Sequence, residues 1–266
     1  MSTLISWTNE TWNPVTGCSR VSEGCRHCYA EALSLRYGWS KQPWTASNAE
    51  ANIILHPERL DRPRKFKPGT RVFTNSMSDM WHELVPDEFI ADIFRVMNET
   101  PAITYQILTK RPERAAHWPG PWTPNIWMGA SIEEDRWTSR ADAIRACGAK
   151  VKFISAEPLL GSLPSLDLRG IDWLIVGGES GRGFRSMDMR WARELRDVSA
   201  STGTAFFFKQ DSAFRTETRP WLVEEDGSCW EWHQYPGHLV APTLVPVQHQ
   251  KIVAKRNQPL LPMFQS

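Results

Sequence analysis

Between Arg71 and Phe208 the chain repeats one pattern: an apolar run of four to six residues, a polar loop and, in most units, a segment with apolar residues at helical spacing. The runs Arg71–Thr74, Ile103–Leu108, Ile126–Ala130, Val151–Ser155, Trp173–Val176 and Thr204–Phe208 read as buried strands. The segments Asp87–Met97, Pro112–His117, Glu133–Cys147 (closed by Gly148) and Arg190–Ser201 read as helices. Strands separated by helices imply parallel βαβ units covered by helices on their outer face. The expectation is an α/β fold, a full or partial TIM-type (β/α) barrel, with a doubly wound open sheet as the alternative. Residues 30–70, rich in Trp and Pro, read as irregular, with an insertion at about 37–70. Past Phe208 the pattern fades. Trp221–Trp232 holds Asp226-Gly227, a hairpin signal, and the Pro-rich stretch from Val240 reads as an extended tail. The expected organisation is a barrel domain over 1–211 and a small C-terminal extension over 212–266.

At 266 residues and 41% hydrophobic, the chain can bury a sizeable core. Its 31 basic and 30 acidic residues leave a net charge of +1, so bulk charge argues neither for nor against a nucleic-acid partner. No apolar run is long enough to span a bilayer, and the N-terminus lacks the basic and apolar regions of a signal peptide. The expected location is the cytoplasm, where thiols stay reduced. Five cysteines, three of them within eleven residues, suit metal ligation better than a disulfide framework.

Those three form the strongest chemical signal, Gly17-Cys18 through Gly24-Cys25-Arg26-His27-Cys28-Tyr29, with spacing C-x6-C-x2-C. Thiolates so placed can ligate three irons of a [4Fe–4S] cubane and leave the fourth iron without a protein ligand. Gly17 and Gly24 allow the turns this needs, and Arg20 and Arg26 offset negative charge. A zinc site is the alternative, but structural zinc takes four protein ligands. His27 is badly placed to be the fourth. His82, Cys147 or Cys229 would have to be brought in by the fold.

In a parallel barrel the residues just after each strand line the mouth that carries the chemistry. Here they are polar six times in succession: Asn75-Ser76-Met77-Ser78-Asp79, Thr109-Lys110-Arg111, Ser131-Ile132-Glu133, Ala156-Glu157-Pro158, Gly177-Gly178-Glu179-Ser180-Gly181 and Lys209-Gln210-Asp211. Such a mixture suits a zwitterionic ligand with a ribose and an adenine. Each residue alone also reads as a cap or solvated turn. The glycine loop matches neither a P-loop nor the dinucleotide fingerprint.

At this point the chain resembles a bacterial and phage domain-of-unknown-function family described as radical-SAM-like phage protein homologues. The resemblance runs from about Ser6 to Gln210 through SWTNETWNPVTGCSRVSEGCRHCYAE, HPERLDRPRKFKPGTRVFTNSMSDMWHE, QILTKRPER, WMGASIE, FISAEPLLG, IDWLIVGGESG and FFFKQ. It implies a radical S-adenosylmethionine (SAM) type barrel with a [4Fe–4S] cluster on Cys18, Cys25 and Cys28. SAM would be cleaved reductively there, and the resulting radical would abstract hydrogen from a substrate. The first cysteine gap is longer than the common C-x3-C-x2-C. The residue before the third cysteine, here His27, is expected against adenine. The family-type Gly-Gly-Glu usually follows the second strand, whereas Gly177-Gly178-Glu179 comes late; Asn75, Ser76 and Asp79 are expected to do its work. With Tyr29, Ser131 and Lys209, these are the candidate cofactor contacts. Glu133, Glu157 and Lys110 are the candidate catalytic or substrate-contacting residues.

The expected partners are a reductase or other electron donor and a nucleotide or nucleic-acid substrate. The latter rests on Arg59, Arg62, Arg64, Lys65, Lys67, Arg182 and Arg185 as phosphate contacts; a solvated basic loop is the plainer reading. A zinc-stabilised nucleic-acid-binding protein without catalysis, or a zinc hydrolase on the same barrel, are the rival functions.

Overall fold

The computed structural model describes residues 3–246 and Gln250. The chain enters through β1 (Glu10–Trp12) and β2 (Val15–Thr16), passes α1 (Tyr29–Arg36) and α2 (Ala49–Asn52), and returns antiparallel to β2 as β3 (Ile54–Leu55). The repeating part follows as β4 (Arg71–Thr74), α3 (Asp87–Glu99), β5 (Thr104–Thr109), α4 (Pro112–Ala116), β6 (Ile126–Ser131), α5 (Arg140–Ala146), β7 (Val151–Ala156), β8 (Trp173–Gly177), α6 (Met189–Thr202) and β9 (Ala205–Gln210). Seven strands form one sheet in the order β1-β4-β5-β6-β7-β8-β9. Every neighbouring pair is parallel. The sheet is curled into an open half-barrel.

The six strands expected from apolar runs are all present, but three local expectations are corrected. The segment Glu10–Trp12 adds an edge strand beside β4 that a run so short and polar does not announce. Residues 30–70 are not wholly irregular, since they hold α1, α2 and β3. Helix α1 buries only Ala30, Glu31 and Ser34, so it lacks the apolar stripe by which a helix is recognised. The helix expected from Glu133 starts only at Arg140, after a 3-10 turn at Asp135–Trp137. The backbone carbonyl of Glu133 instead accepts the Leu160 N–H at 2.9 Å.

Alternation along the strands divides the core. One set of residues, including Val72, Ile107, Met128, Ile154, Leu174 and Phe206, packs with Ile90, Ile93 and Phe94 of α3, Ile144 of α5 and Leu195 of α6. The other set faces the concave side: Phe73, Phe153, Trp173, Ile175 and Phe207 pack around Trp7, with Leu108 and Trp127 against them. Trp7 lies 4.7 Å from Phe73 and 6.1 Å from Trp173, ring to ring, and plugs this side with aromatic surface. Gly129 is required here, because a Cβ would sit 2.5 Å from the Phe153 ring. One or two steps further along each strand in the same phase stand Asn75, Lys110, Ser131, Ser155, Glu157, Gly177 and Lys209. The half-barrel is therefore dry at one end and polar at the carboxyl end of its strands.

Beyond β9, β10 (Leu222–Val223), β11 (Cys229–Glu231) and β12 (Thr243–Leu244) form an antiparallel sheet. The Asp226-Gly227 turn joins its first two strands, with Gly227 at φ 81°. Part of the expected tail thus pairs as β12; residues 247–249 and 251–266 lie outside the described residues. No helix among the described residues is long and apolar enough to cross a membrane.

Candidate functional site

The loop from Gly17 to Tyr29 lies across the carboxyl ends of β4, β5, β6 and β8, and each strand end supplies an anchor. After β4, the Met77 carbonyl accepts the Gly17 N–H at 3.0 Å and the Ser76 carbonyl accepts the Tyr29 hydroxyl at 2.7 Å. Gly17, at φ 85°, is needed because a Cβ would fall 1.9 Å from the Asn52 carbonyl oxygen. After β5, Arg111 donates through Nη2 to the Ser19 carbonyl at 3.0 Å and hydroxyl at 2.8 Å, and through Nη1 to Cys18 Sγ at 3.6 Å.

After β6, Ser22 donates to the Glu133 carboxylate, and Gly24 lies so close that a Cβ would meet Glu133 Oε1 at 2.6 Å. Glu133 is fully buried and paired with Arg140 at 3.0 Å. After β8, Glu179 bonds His27 Nδ1 at 3.0 Å and is chelated by Arg185, which also reaches the Glu23 carbonyl at 3.0 Å. Burial disfavours the Glu179 carboxylate, but the Arg185 and His27 hydrogen bonds outweigh it and hold its pKa below the ordinary range.

The other candidates surround this loop. Asp79 is buried and accepts from Thr109 Oγ1 at 2.7 Å, the Trp81 N–H at 3.0 Å and the Lys110 N–H at 3.2 Å. The Ser76 hydroxyl bonds Asn13 at 3.1 Å. Lys110 stands near Cys28, where its charge favours the thiolate. Glu157 accepts from Lys209 Nζ at 2.5 Å and lies under Gly177, while Gly178 is pressed on the Ser212 backbone. Ser131 is buried, and its carbonyl accepts Arg140 Nη1 at 2.7 Å. Asn75 is 2% exposed, sits at φ 62°, and buries both polar atoms of its carboxamide without a hydrogen-bond partner among the described residues. Buried polar side chains are ordinarily hydrogen-bonded, so this carboxamide stands out among the strand-end residues.

All three loop cysteines are free thiols. They are near enough that the charge on one raises the pKa of its neighbours. Burial pushes the Cys18 thiol up to about 12, with Asp79 adding to the rise and Arg111 opposing it. Burial also raises Cys28, against the Glu31 and Ala30 N–H groups at the start of α1. Among the described residues no three His, Cys, Asp or Glu side chains gather tightly enough to hold a metal ion.

None of the proposed fourth zinc ligands joins the loop cysteines. His82 is buried with Nε2 on Ser19 Oγ at 2.8 Å and Nδ1 accepting the Leu84 N–H at 3.2 Å. Cys147 belongs to the helix-side core and Cys229 packs with Trp221 and Val245 in the C-terminal sheet.

Sequence reasoning overlooked Ser22 and Arg140, and did not single out Arg111 although it stands beside Lys110. Arg185, expected as a phosphate contact, instead clamps Glu179. Three arginines of the basic stretch form surface ion pairs: Arg59 with Glu58 at 3.5 Å, Arg62 with Glu10 at 3.7 Å, and Arg64 with Asp61 at 2.9 Å and with Glu99.

Three solved structures of spore photoproduct lyase resemble the chain. A complex with dinucleoside spore photoproduct is 11% identical, with TM-score 0.41, covering 92% of this chain and 73% of that one. A cysteine-to-serine mutant is 12% identical, with TM-score 0.45, covering 97% and 76%. A double mutant with bound AdoMet and dinucleoside spore photoproduct is 12% identical, with TM-score 0.42, covering 94% and 74%. No curated protein matches the sequence. The model of one family matches residues 2–257, and the chain therefore belongs to that family, described as "Protein of unknown function (DUF5131)".

Proposed function

We propose that this chain is a radical SAM enzyme that binds a [4Fe–4S] cluster through Cys18, Cys25 and Cys28. The observation that carries the proposal is the placement of three free, mutually close thiols over the polar end of a parallel half-barrel. A cubane divides its ligands among three irons, so its sulfurs surround a volume and not a point. A single structural zinc ion instead needs four ligands on one point. The unpartnered Asn75 carboxamide, Lys110 and the Glu157–Lys209 pair offer the donors, acceptors and charges that an amino-acid nucleoside such as SAM requires.

When bound, the cluster and SAM would supply reductive cleavage of a carbon–sulfur bond and a hydrogen-abstracting radical. The chain's own residues do the rest. Glu133, Glu179 and Arg111 fix the loop that presents the thiols. The aromatic plug around Trp7 and Trp173 closes the far end of the half-barrel against water. Lys209 Nζ donates to Glu157 Oε1 and orients that carboxylate beneath Gly177. A protein reductase is the electron donor and a nucleotide or nucleic-acid base the substrate class in this reading.

Anaerobic purification with metal and sulfide analysis tests the proposal. About four irons and four sulfides per chain are expected, with 5′-deoxyadenosine and methionine formed on adding dithionite and SAM. Cys25→Ala should lose the iron and Cys147→Ala keep it. Stoichiometric zinc in a colourless, air-stable protein, or full iron in Cys25→Ala, would overturn it.

A further inference from the structure

We propose that Arg111 sets the reduction potential of the cluster, acting through the sulfur of Cys18. The inference rests on the cluster reading above and adds to it a residue that is not a ligand. Arg111 Nη1 points at Cys18 Sγ from 3.6 Å, and its side chain is 14% exposed. The guanidinium is held on every edge: Nη2 on the Ser19 carbonyl and hydroxyl at 3.0 and 2.8 Å, Nη1 on Asp79 at 3.4 Å, and Nε on Glu83 at 3.3 Å. Ser19 is itself held by His82, and Asp79 by Thr109 and two backbone N–H groups.

The physical argument concerns charge. Reduction adds an electron to a cluster whose thiolates already carry negative charge. A hydrogen bond and a fixed positive charge on a ligand sulfur stabilise the reduced form more than the oxidised one, and so raise the potential. A guanidinium does this at any working pH, because it does not deprotonate in proteins. Asp79 acts in the opposite sense, since its carboxylate offsets part of the guanidinium charge. The other two ligand sulfurs have only neutral hydrogen-bonding neighbours among the described residues, with the Lys110 charge acting on Cys28 through space. Ser22 Oγ lies 3.8 Å from Cys25, and the Glu31 and Ala30 N–H groups face Cys28. Arg111 is thus a positioning residue with an electrostatic output, and Asp79 its counterweight.

The test uses the full chain, reconstituted anaerobically, with iron content measured first and the midpoint potential then read by a redox titration followed by electron paramagnetic resonance. For Arg111→Gln the expected result is retained iron and a midpoint lowered by about a tenfold change in the equilibrium, ~59 mV for one electron. Arg111→Lys keeps the charge but not the fork, and should shift less in the same direction. Asp79→Asn should shift the midpoint upward.

Opposite signs at the two positions are the signature, because a merely structural role would lower iron content without ordering the potentials this way. Unchanged midpoints in both variants, or shifts of the same sign, overturn the inference while leaving the cluster reading intact. Should Arg111→Gln fail to take up iron, the sign at Asp79→Asn decides alone. Wild-type protein that takes up no iron rejects the cluster reading itself, and Arg111's role with it, before any variant is compared.

Discussion

Replacing Glu133 by Ala should cost far more than the loss of an ordinary ion pair. Glu133 is 0% and Arg140 3% exposed at the side chain, so the variant leaves a guanidinium in the core without its counter-charge. The guanidinium would retain the Ser131 carbonyl at 2.7 Å and the face of Trp137 at 4.2 Å, neither of which carries a full negative charge. Removing one member of a buried pair typically costs about 3–5 kcal/mol, whereas an exposed pair contributes about 0–1 kcal/mol. Replacing both residues by Met removes both charges and fills the volume. The double variant should therefore lie within about 1–2 kcal/mol of wild type, leaving a large coupling energy between the two sites. Equilibrium unfolding in urea measures this, provided the denaturant slope stays constant. A loss below about 1 kcal/mol for Glu133→Ala, or strict additivity of Glu133→Met and Arg140→Met in the double, would refute the argument. Because Ser22 and Gly24 rest on the same carboxylate, Glu133→Ala should also loosen the cysteine loop and lower iron retention.

Gly129→Ala should destabilise the fold by about 1–3 kcal/mol, because the new methyl would meet three carbons of a buried Phe153 ring that also packs against Trp173. Adding Phe153→Leu should recover part of the loss, and no cost in Gly129→Ala would mean the ring is not held as described. His82 should make stability depend on pH. Burial, and then the charge of Arg111, lower its pKa, so the folded ring stays neutral where the unfolded one, near ~6.5, takes up a proton. The unfolded state then binds more protons just below ~6.5, and stability falls as pH drops through that window and levels off below the folded pKa. His82→Gln should flatten this part of a stability–pH curve relative to wild type; an unchanged slope would show that the histidine does not contribute.

The strands and helix α3 could be read from the sequence because their burial produces local patterns. Strands covered on both faces become unbroken apolar runs, and α3 carries its core residues Ile90, Ile93, Phe94 and Met97 at helical spacing. Helix α1 offers no such pattern. Its buried charge, Glu31, is satisfied by Arg20 and the Trp44 N–H, contacts no periodicity reveals. The polar strand ends were likewise legible as a series. The alternation that puts Phe153, Ser155 and Glu157 in one phase, and Phe207 and Lys209 in one phase, also lay in the sequence and marks the residues that face the concave side.

Local spacing thus determined the cysteine trio, the sheet's parallel strands and the polar rim above them, since each depends on residues a few positions apart. Tertiary structure alone decided what holds the trio. Arg111 meets Cys18 across 93 positions, Ser22 meets Glu133 across 111, and His27 meets Glu179 across 152. Charge neutralisation and hydrogen bonding act over a few ångströms of space and are indifferent to distance along the chain. Which arginine clamps a carboxylate, and which touches a sulfur, is therefore settled only once the strands are placed side by side.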